Sequence, residues 1–255
     1  MNFRLLGNVD APAVMLIHGM ATTAEKCYLD IARELAKSYR VILACLVGHE
    51  PYANSIFETI EQECEHIERY VNRRYGGRLF AVSGMSLGGT VTLELIRRGN
   101  IIIDRVHLDA AFCTSLGLMK TPYTLLFTKG IDYLKHGHKL PVIAVEKVFG
   151  KGNAGMTDLI YRGIEEETIK NVCNEVYSYR PSRELKDYTG AVQYWCGSDE
   201  TYPKRSARAL EKYLPDMRVR VFRGFGHGQM LRSRKRAYLR ELKKFLTEQP
   251  EGCTE

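Results

Sequence analysis

Leu79-Phe-Ala-Val-Ser-Gly-Met-Ser-Leu-Gly-Gly89 is the most informative stretch of this 255-residue chain. Residues 79–83 have the length and apolar composition of a buried strand. Gly84-Met-Ser86-Leu-Gly88 follows directly, and then an apolar helical pattern through Val91, Leu93, Leu95 and Ile96. Turning from strand to helix in so few residues forces the serine into a strained backbone conformation, and side chains at the flanking positions would clash. Glycine at 84 and 88 removes that obstacle. The Ser86 hydroxyl is then left exposed at a helix N-terminus, whose unpaired amides favour developing negative charge. Gly-x-Ser-x-Gly alone arises by chance, so the strand before it and the helix after it carry the weight.

The same alternation extends in both directions. Short β-rich runs at 13–17, 41–44, 106–109, 191–196 and 219–222 are separated by helical patterns, and residues 3–6 add a candidate edge strand. One helix is expected after Ser55-Ile-Phe-Glu58, a capping-box pattern, with Phe57, Ile60, Cys64, Ile67 and Val71 on its apolar face and Gly76-Gly77 at its end. Such alternation implies an α/β fold, a mainly parallel doubly wound sheet with helices on both faces. The rhythm breaks between about 111 and 187, where 121–138 and 158–179 look helical and Gly150-Lys-Gly-Asn-Ala-Gly155 reads as a flexible joint. A segment that long is an inserted, mostly helical unit rather than a connection.

Composition narrows the classes. With 45% hydrophobic and 26% charged residues, the chain has ample material for one large core and none of the bias of a disordered segment. No run approaches the roughly 18 apolar residues of a membrane-spanning helix. The start, Met-Asn-Phe-Arg-Leu-Leu-Gly-Asn, lacks the longer apolar run of a secretory leader, so a cytoplasmic location is expected. Seven cysteines (27, 45, 64, 113, 173, 196 and 253) are scattered without a Cys-x-x-Cys pair or zinc-ligand spacing, which suits reduced thiols and no metal. The formal charge is +7, but the basic residues are dispersed apart from Arg232, Arg234, Lys235 and Arg236, and no nucleic-acid-binding motif occurs. A solvated basic face is the expectation, with no nucleic-acid partner.

Two further segments stand where a nucleophilic serine would need them. His18-Gly19-Met20 follows the first strongly apolar strand, at the end where open parallel sheets build their sites. Its glycine lets the backbone turn so that the Met20 amide points at an oxyanion, with the Leu87 amide as second donor. Gly224-Phe-Gly226-His227-Gly228 follows the last strand and supplies a base. The strand at 191–196 runs into Gly197-Ser198-Asp199-Glu200-Thr-Tyr-Pro203, which offers two adjacent carboxylates to orient the imidazole.

In its His-Gly-x, Gly-x-Ser-x-Gly and Gly-x-Gly-His segments, and in the order serine, acid, histidine, the chain resembles the α/β-hydrolases over essentially its whole length. The resemblance implies a core formed by 1–111 and 186–255, a helical cap at 112–185, and acyl transfer to water through a covalent intermediate on Ser86. It implies no organic cofactor and no metal. Counting from the glycine, Gly-x-x-Asp/Glu, makes Glu200 the preferred acid; counting back from the proline makes it Asp199, and Asp109 is a third position used by some relatives. A small carboxylic ester with a modest apolar acyl group is the expected substrate. Acyltransferase, peptidase and thioesterase chemistry use the same parts, and a hydrolase scaffold kept only for ligand binding is the non-enzymatic alternative.

Other residues invite bland readings. His49 is expected to be structural and His107 a hydrogen-bonded interior residue or one that contacts the cap. His136 and His138 lack metal-ligand company, and Glu165-Glu-Glu167 is a solvated helix face. Tyr123, Tyr133, Tyr161, Tyr177 and Tyr179 either line a pocket or pack the insertion on the core. The basic amphipathic segment 230–246 is expected to pack on the sheet, without stable membrane insertion.

Overall fold

The structure is a computed structural model that describes residues 1–51 and 55–248. Cys253 lies outside the described residues; the other six cysteines are free and buried. Seven strands form one sheet: β1 (Asn2–Leu6), β2 (Ala13–Ile17), β3 (Arg40–Cys45), β4 (Arg78–Met85), β5 (Ile102–Asp109), β6 (Ala191–Gly197) and β7 (Arg218–Phe222). Their spatial order is β1-β3-β2-β4-β5-β6-β7. Only β1 runs antiparallel, pairing Asn2 to Leu6 with Cys45 to Val41; the other pairs are parallel. Every expected strand is present, including the edge strand.

Period-two alternation divides the core between the two faces of the sheet. Met15, Ile17, Ile42, Val82 and Leu108 point to the side covered by α2 (Ile60–Tyr75), α3 (Leu87–Arg98) and α7 (Thr201–Leu210). Their neighbours Val14, Leu16, Val41 and Ala81 point to the side covered by α1 (Ala24–Leu35) and α9 (Lys235–Thr247). Helix α9 buries Tyr238, Leu242, Phe245 and Leu246 against that face, so the C-terminal amphipathic helix packs on the sheet. The expected single helix is two, because Arg234 at φ −131°, ψ 42° separates α8 (Gln229–Ser233) from α9.

The α2 N-terminus differs from expectation. The cap is Thr59, whose hydroxyl accepts from the Gln62 amide, whereas the Ser55 hydroxyl accepts from the Gly48 amide across a loop. Residues 55–59 stay outside the helix because the loop at 48 competes for Ser55 and the Phe57 amide donates to Thr168. At the other end Gly76 closes α2 in the left-handed region at φ 60°, as its sequence signal required.

Between β5 and β6 lies the helical insertion: α4 (Lys120–Lys135), α5 (Val142–Phe149) and α6 (Glu166–Val176), with short 3₁₀ turns between them. Helix α6 is shorter than its periodic pattern. Residues 154–159 coil into a 3₁₀ turn, and the Tyr161 amide is drawn to the carbonyl of Ala21 at 2.8 Å. The glycine-rich stretch 150–155 is anchored as well. Asn153 is fully buried and its amide donates to the carbonyls of Phe149 and His227 at 2.9 and 2.8 Å.

Candidate active site

The C-terminal ends of β2, β4, β5, β6 and β7 bring the candidate residues to one side of the sheet. Ser86 occupies the tight turn between β4 and α3 at φ 52°, ψ −113°. A non-glycine residue there costs about 1–3 kcal/mol and persists only when its surroundings fix it. They do: the Ser86 amide donates to the Asp109 carbonyl at 2.8 Å, on the neighbouring strand. A Cβ on Gly84 would stand 2.2 Å from the Gly88 carbonyl oxygen, and one on Gly88 would stand 2.1 Å from that of Ile17. Neither clash can relax, since both neighbours are backbone. Strain recurs at the adjacent strand ends, where Ala21 (φ 57°) and Ala110 (φ 51°) also take left-handed conformations. No glycine announced those two, so the sequence offered no signal for them.

His18 holds the loop after β2. The Leu46 amide donates to its Nε2 at 3.1 Å, which leaves Nδ1 protonated and donating to the Gly19 carbonyl at 2.8 Å. Burial is the main cause lowering its pKa to about 4, against the raising effect of the Gly19 contact, so the ring is neutral. Gly19 is not in the left-handed region; its value is proximity, since a Cβ there would lie 3.4 Å from the Ser86 Cβ. Met20 then follows at the wall of the site.

On the opposite wall, His227 Nδ1 lies 2.6 Å from Glu200 Oε1, and Glu200 Oε2 accepts from the Gly197 amide at 2.5 Å. Glu200 is buried by this arrangement. Asp199 is instead exposed at the cavity wall, with Oδ1 accepting from the Ser198 hydroxyl at 2.9 Å. Burial lowers the His227 pKa, but the hydrogen bond and charge of Glu200, helped by Asp109, outweigh it and leave the pKa raised above 6.5. The loop has a further support. The His227 amide donates to the Phe149 carbonyl at the end of α5, and a Cβ on Gly226 would stand 1.9 Å from that same oxygen. Together with Asn153, this ties the histidine loop to the insertion, a role no sequence pattern marked.

Asp109 sits at the end of β5, buried, with Oδ2 lacking a hydrogen-bond partner. Burial first, and then the charge of Glu200, push its carboxyl up to about 7, while His227 pulls the other way. It makes no hydrogen bond to His227, in contrast to Glu200. His49 is fully buried behind the site and kept neutral by burial, with a pKa of about 3. His107 donates to or accepts from the Ser83 hydroxyl at 2.8 Å and lies edge-on to Trp195, inside the α1/α9 core. Tyr179 bonds Glu94 and Tyr133 stacks on His138, whereas Tyr123 and Tyr177 line the site. Among the described residues, no group of three or more His, Cys, Asp or Glu side chains is placed to hold a metal.

Ser86, Met20, Leu87, Glu200, Asp199 and His227 all line one cavity of about 250 Å³. Its remaining walls are mostly apolar and come from the insertion, with Leu134 of α4, Val145 of α5 and Val172 of α6 among them.

Solved structures with the same architecture are numerous. An α/β-hydrolase family protein from Desulfitobacterium hafniense is 22% identical, covers 96% of this chain and 100% of its own, and superposes with a TM-score of 0.85. A carboxylesterase structure from Nitrososphaera gargenis matches at 18% identity over 96% and 94% of the two chains, TM-score 0.78. The enol-lactonase from Burkholderia xenovorans matches at 18% over 97% and 96%, TM-score 0.76. No family model matches the sequence, and no curated protein does. The chain has the α/β-hydrolase fold.

Proposed function

We propose that this protein is a serine hydrolase that cleaves a carboxylic ester, or a related acyl bond, through Ser86, His227 and Glu200. The observation that carries the reading is the 2.6 Å contact between His227 Nδ1 and Glu200 Oε1, on loops that line one cavity with Ser86. A carboxylate accepting from Nδ1–H fixes the tautomer that leaves Nε2 free as the base. His227 Nε2 takes the Ser86 proton as Oγ attacks the substrate carbonyl. The amides of Met20 and Leu87 receive the oxyanion, and the positive end of α3 adds to the field there. His227 then gives its proton to the departing alcohol, and water activated by the same nitrogen releases the acid and frees Ser86. Asp199 takes no part, and neither a metal nor an organic cofactor is required.

The insertion, residues 112–185, is the cap over a core made of 1–111 and 186–255, and it selects the substrate by shape. Its apolar walls suit an acyl group of modest length. The carboxylesterase and enol-lactonase among the similar structures support acyl-oxygen cleavage as the class. The test is turnover of p-nitrophenyl esters of rising acyl length by wild type and Ser86→Ala. An optimum at short to medium chains, abolished by the substitution, is the expected result. Equal turnover by both proteins would overturn the assignment.

A further inference from the structure

Seven of the thirteen exposed large apolar side chains among the described residues fall between 118 and 143, on α4, α5 and the turn before α4. Leu118 is 98% exposed and Ile143 82%. The same two helices also border the cavity. Leu126 lines the cavity yet remains 51% exposed, and Ala144 and Lys147 likewise both line it and face outward. The helices divide their surfaces: Tyr123, Phe127, Ile131 and Leu134 of α4 turn inward at helical spacing, while Leu125 is left outside.

We propose that the α4–α5 face beside the cavity mouth docks on a lipid surface bearing anionic headgroups, from which an acyl chain passes into the cavity. The inference rests on the acyl-hydrolase reading for what happens after entry. Charge selects the occupant. Lys139, Lys147 and Lys151, on and beside α5, are exposed and outnumber the acids near them: Glu146, which accepts from the Gly152 amide, and the exposed Asp199, whose Cβ stands 3.7 Å from where a Cβ on Gly150 would be. Lys129 and Lys135 lie in the field of Glu166, and Lys120 donates to Ser178, so they are left out of account. Position also argues for lipid. The mouth opens at the edge of the patch, between Leu126, Ala144 and Lys147 on one side and Asp199 and Thr201 on the other, and a partner of fixed shape seated across it would stop it, whereas a fluid surface supplies chains to it. Contact is peripheral, since no described helix is long and apolar enough to cross a membrane.

The test is sedimentation of the full chain with phosphatidylcholine vesicles, with and without one third phosphatidylglycerol, at low and at physiological salt. Three proteins are compared: wild type, Ile143→Asp, and Lys139→Glu/Lys151→Glu. None of these side chains lines the cavity. Wild type binds the anionic vesicles, and more tightly at low salt. Ile143→Asp weakens binding about tenfold, as loss of a buried aliphatic contact should. The lysine pair weakens it by roughly fivefold or more per charge. All three hydrolyse a soluble p-nitrophenyl ester equally. Failure of wild type to bind either vesicle at low salt overturns the proposal, as does unchanged binding by both variants, which would move the contact to the basic face of α9. Concentration-dependent self-association of wild type, lost in Ile143→Asp and without vesicle binding, would give the face to a second copy instead. Loss of soluble-ester turnover in wild type contradicts the enzymatic reading alone and leaves the docking result to stand separately.

Discussion

At the strand ends Glu200 and His18 are each held twice over, while the helical insertion leaves its side chains loosely committed. Glu200 is held by His227 and by the Gly197 amide, His18 by Leu46 and Gly19, and the Ser86 backbone by Asp109. Across α4 and α5, by contrast, apolar side chains face either the cavity or the outside, and few polar contacts fix them. Bond-making at a serine demands tenth-of-ångström placement of donors and base, which only a rigid sheet edge supplies. Selecting an acyl group demands volume and apolar lining, which tolerate variation. The two regions touch where α5 ends, through Phe149, Asn153 and the His227 loop. Loss of the Asn153 side-chain amide, which bonds the Phe149 and His227 carbonyls, is therefore expected to disturb the histidine loop.

Substitutions at the strand ends should cost orders of magnitude, and those in the insertion much less. Ser86→Ala is expected to lower kcat/KM by about 10⁴ to 10⁶ with an unchanged far-UV circular dichroism spectrum and unfolding midpoint. Glu200→Gln is expected to lower kcat by about 10² to 10⁴, while Asp199→Asn stays within about threefold. A pH profile sharpens the point. His227 must be neutral to act, and its pKa is raised, so the acid limb of kcat/KM lies above 6.5. Glu200→Gln removes the main raising influence and leaves burial opposed only by Asp109, so the limb moves to lower pH in the variant. A limb that does not move would place the partner of His227 elsewhere.

Asp109 offers a stability test inside the same rigid region. Its folded carboxyl titrates at about 7 against an ordinary value of 3.8. Between those pH values the unfolded chain has released this proton and the folded chain has not, so stability falls as pH rises through that window. Asp109→Asn keeps the shape and removes the titration. The variant is expected to match wild type near pH 4 and to exceed it by on the order of 4 kcal/mol at pH 8 in urea unfolding. A constant difference across pH would show that Asp109 does not titrate with folding. The smallest effect belongs to the insertion. Val172→Phe, which fills part of the cavity, is expected to move the acyl-length optimum down, changing relative kcat/KM between short and medium esters by about tenfold. Reactivity of Ser86 toward a small probe should be unchanged.

What was legible in the sequence follows the same division. Strands and the serine turn were readable because apolar runs and glycines at 84 and 88 report local sterics, and those sterics persist in the fold. Glu200 over Asp199 was a closer matter. Both follow Gly197 within three residues, and they are separated by contacts that leave no mark in sequence: Glu200 Oε1 lies 2.6 Å from His227 Nδ1 and its Oε2 accepts from the Gly197 amide, whereas Asp199 is exposed. A break in the strand–helix rhythm between about 111 and 187 was visible, and β5 and β6 flank it, but the contacts within that stretch were not. Asn153 sits in a glycine-rich stretch that reads as a joint, and its partners are the carbonyls of Phe149 and His227, the latter 74 residues away. Backbone acceptors leave no mark in sequence. The misplaced start of α2 has a like cause: Ser55 had the right local pattern, and Gly48 took its hydroxyl.

The most direct test of the account is reaction of the full chain with a fluorophosphonate, followed by mass spectrometry of the peptides. The expected result is one label per chain on Ser86, absent from Ser86→Ala and much slowed in His227→Ala. A folded wild-type protein that stays unlabelled, or a label that persists in Ser86→Ala, would contradict it.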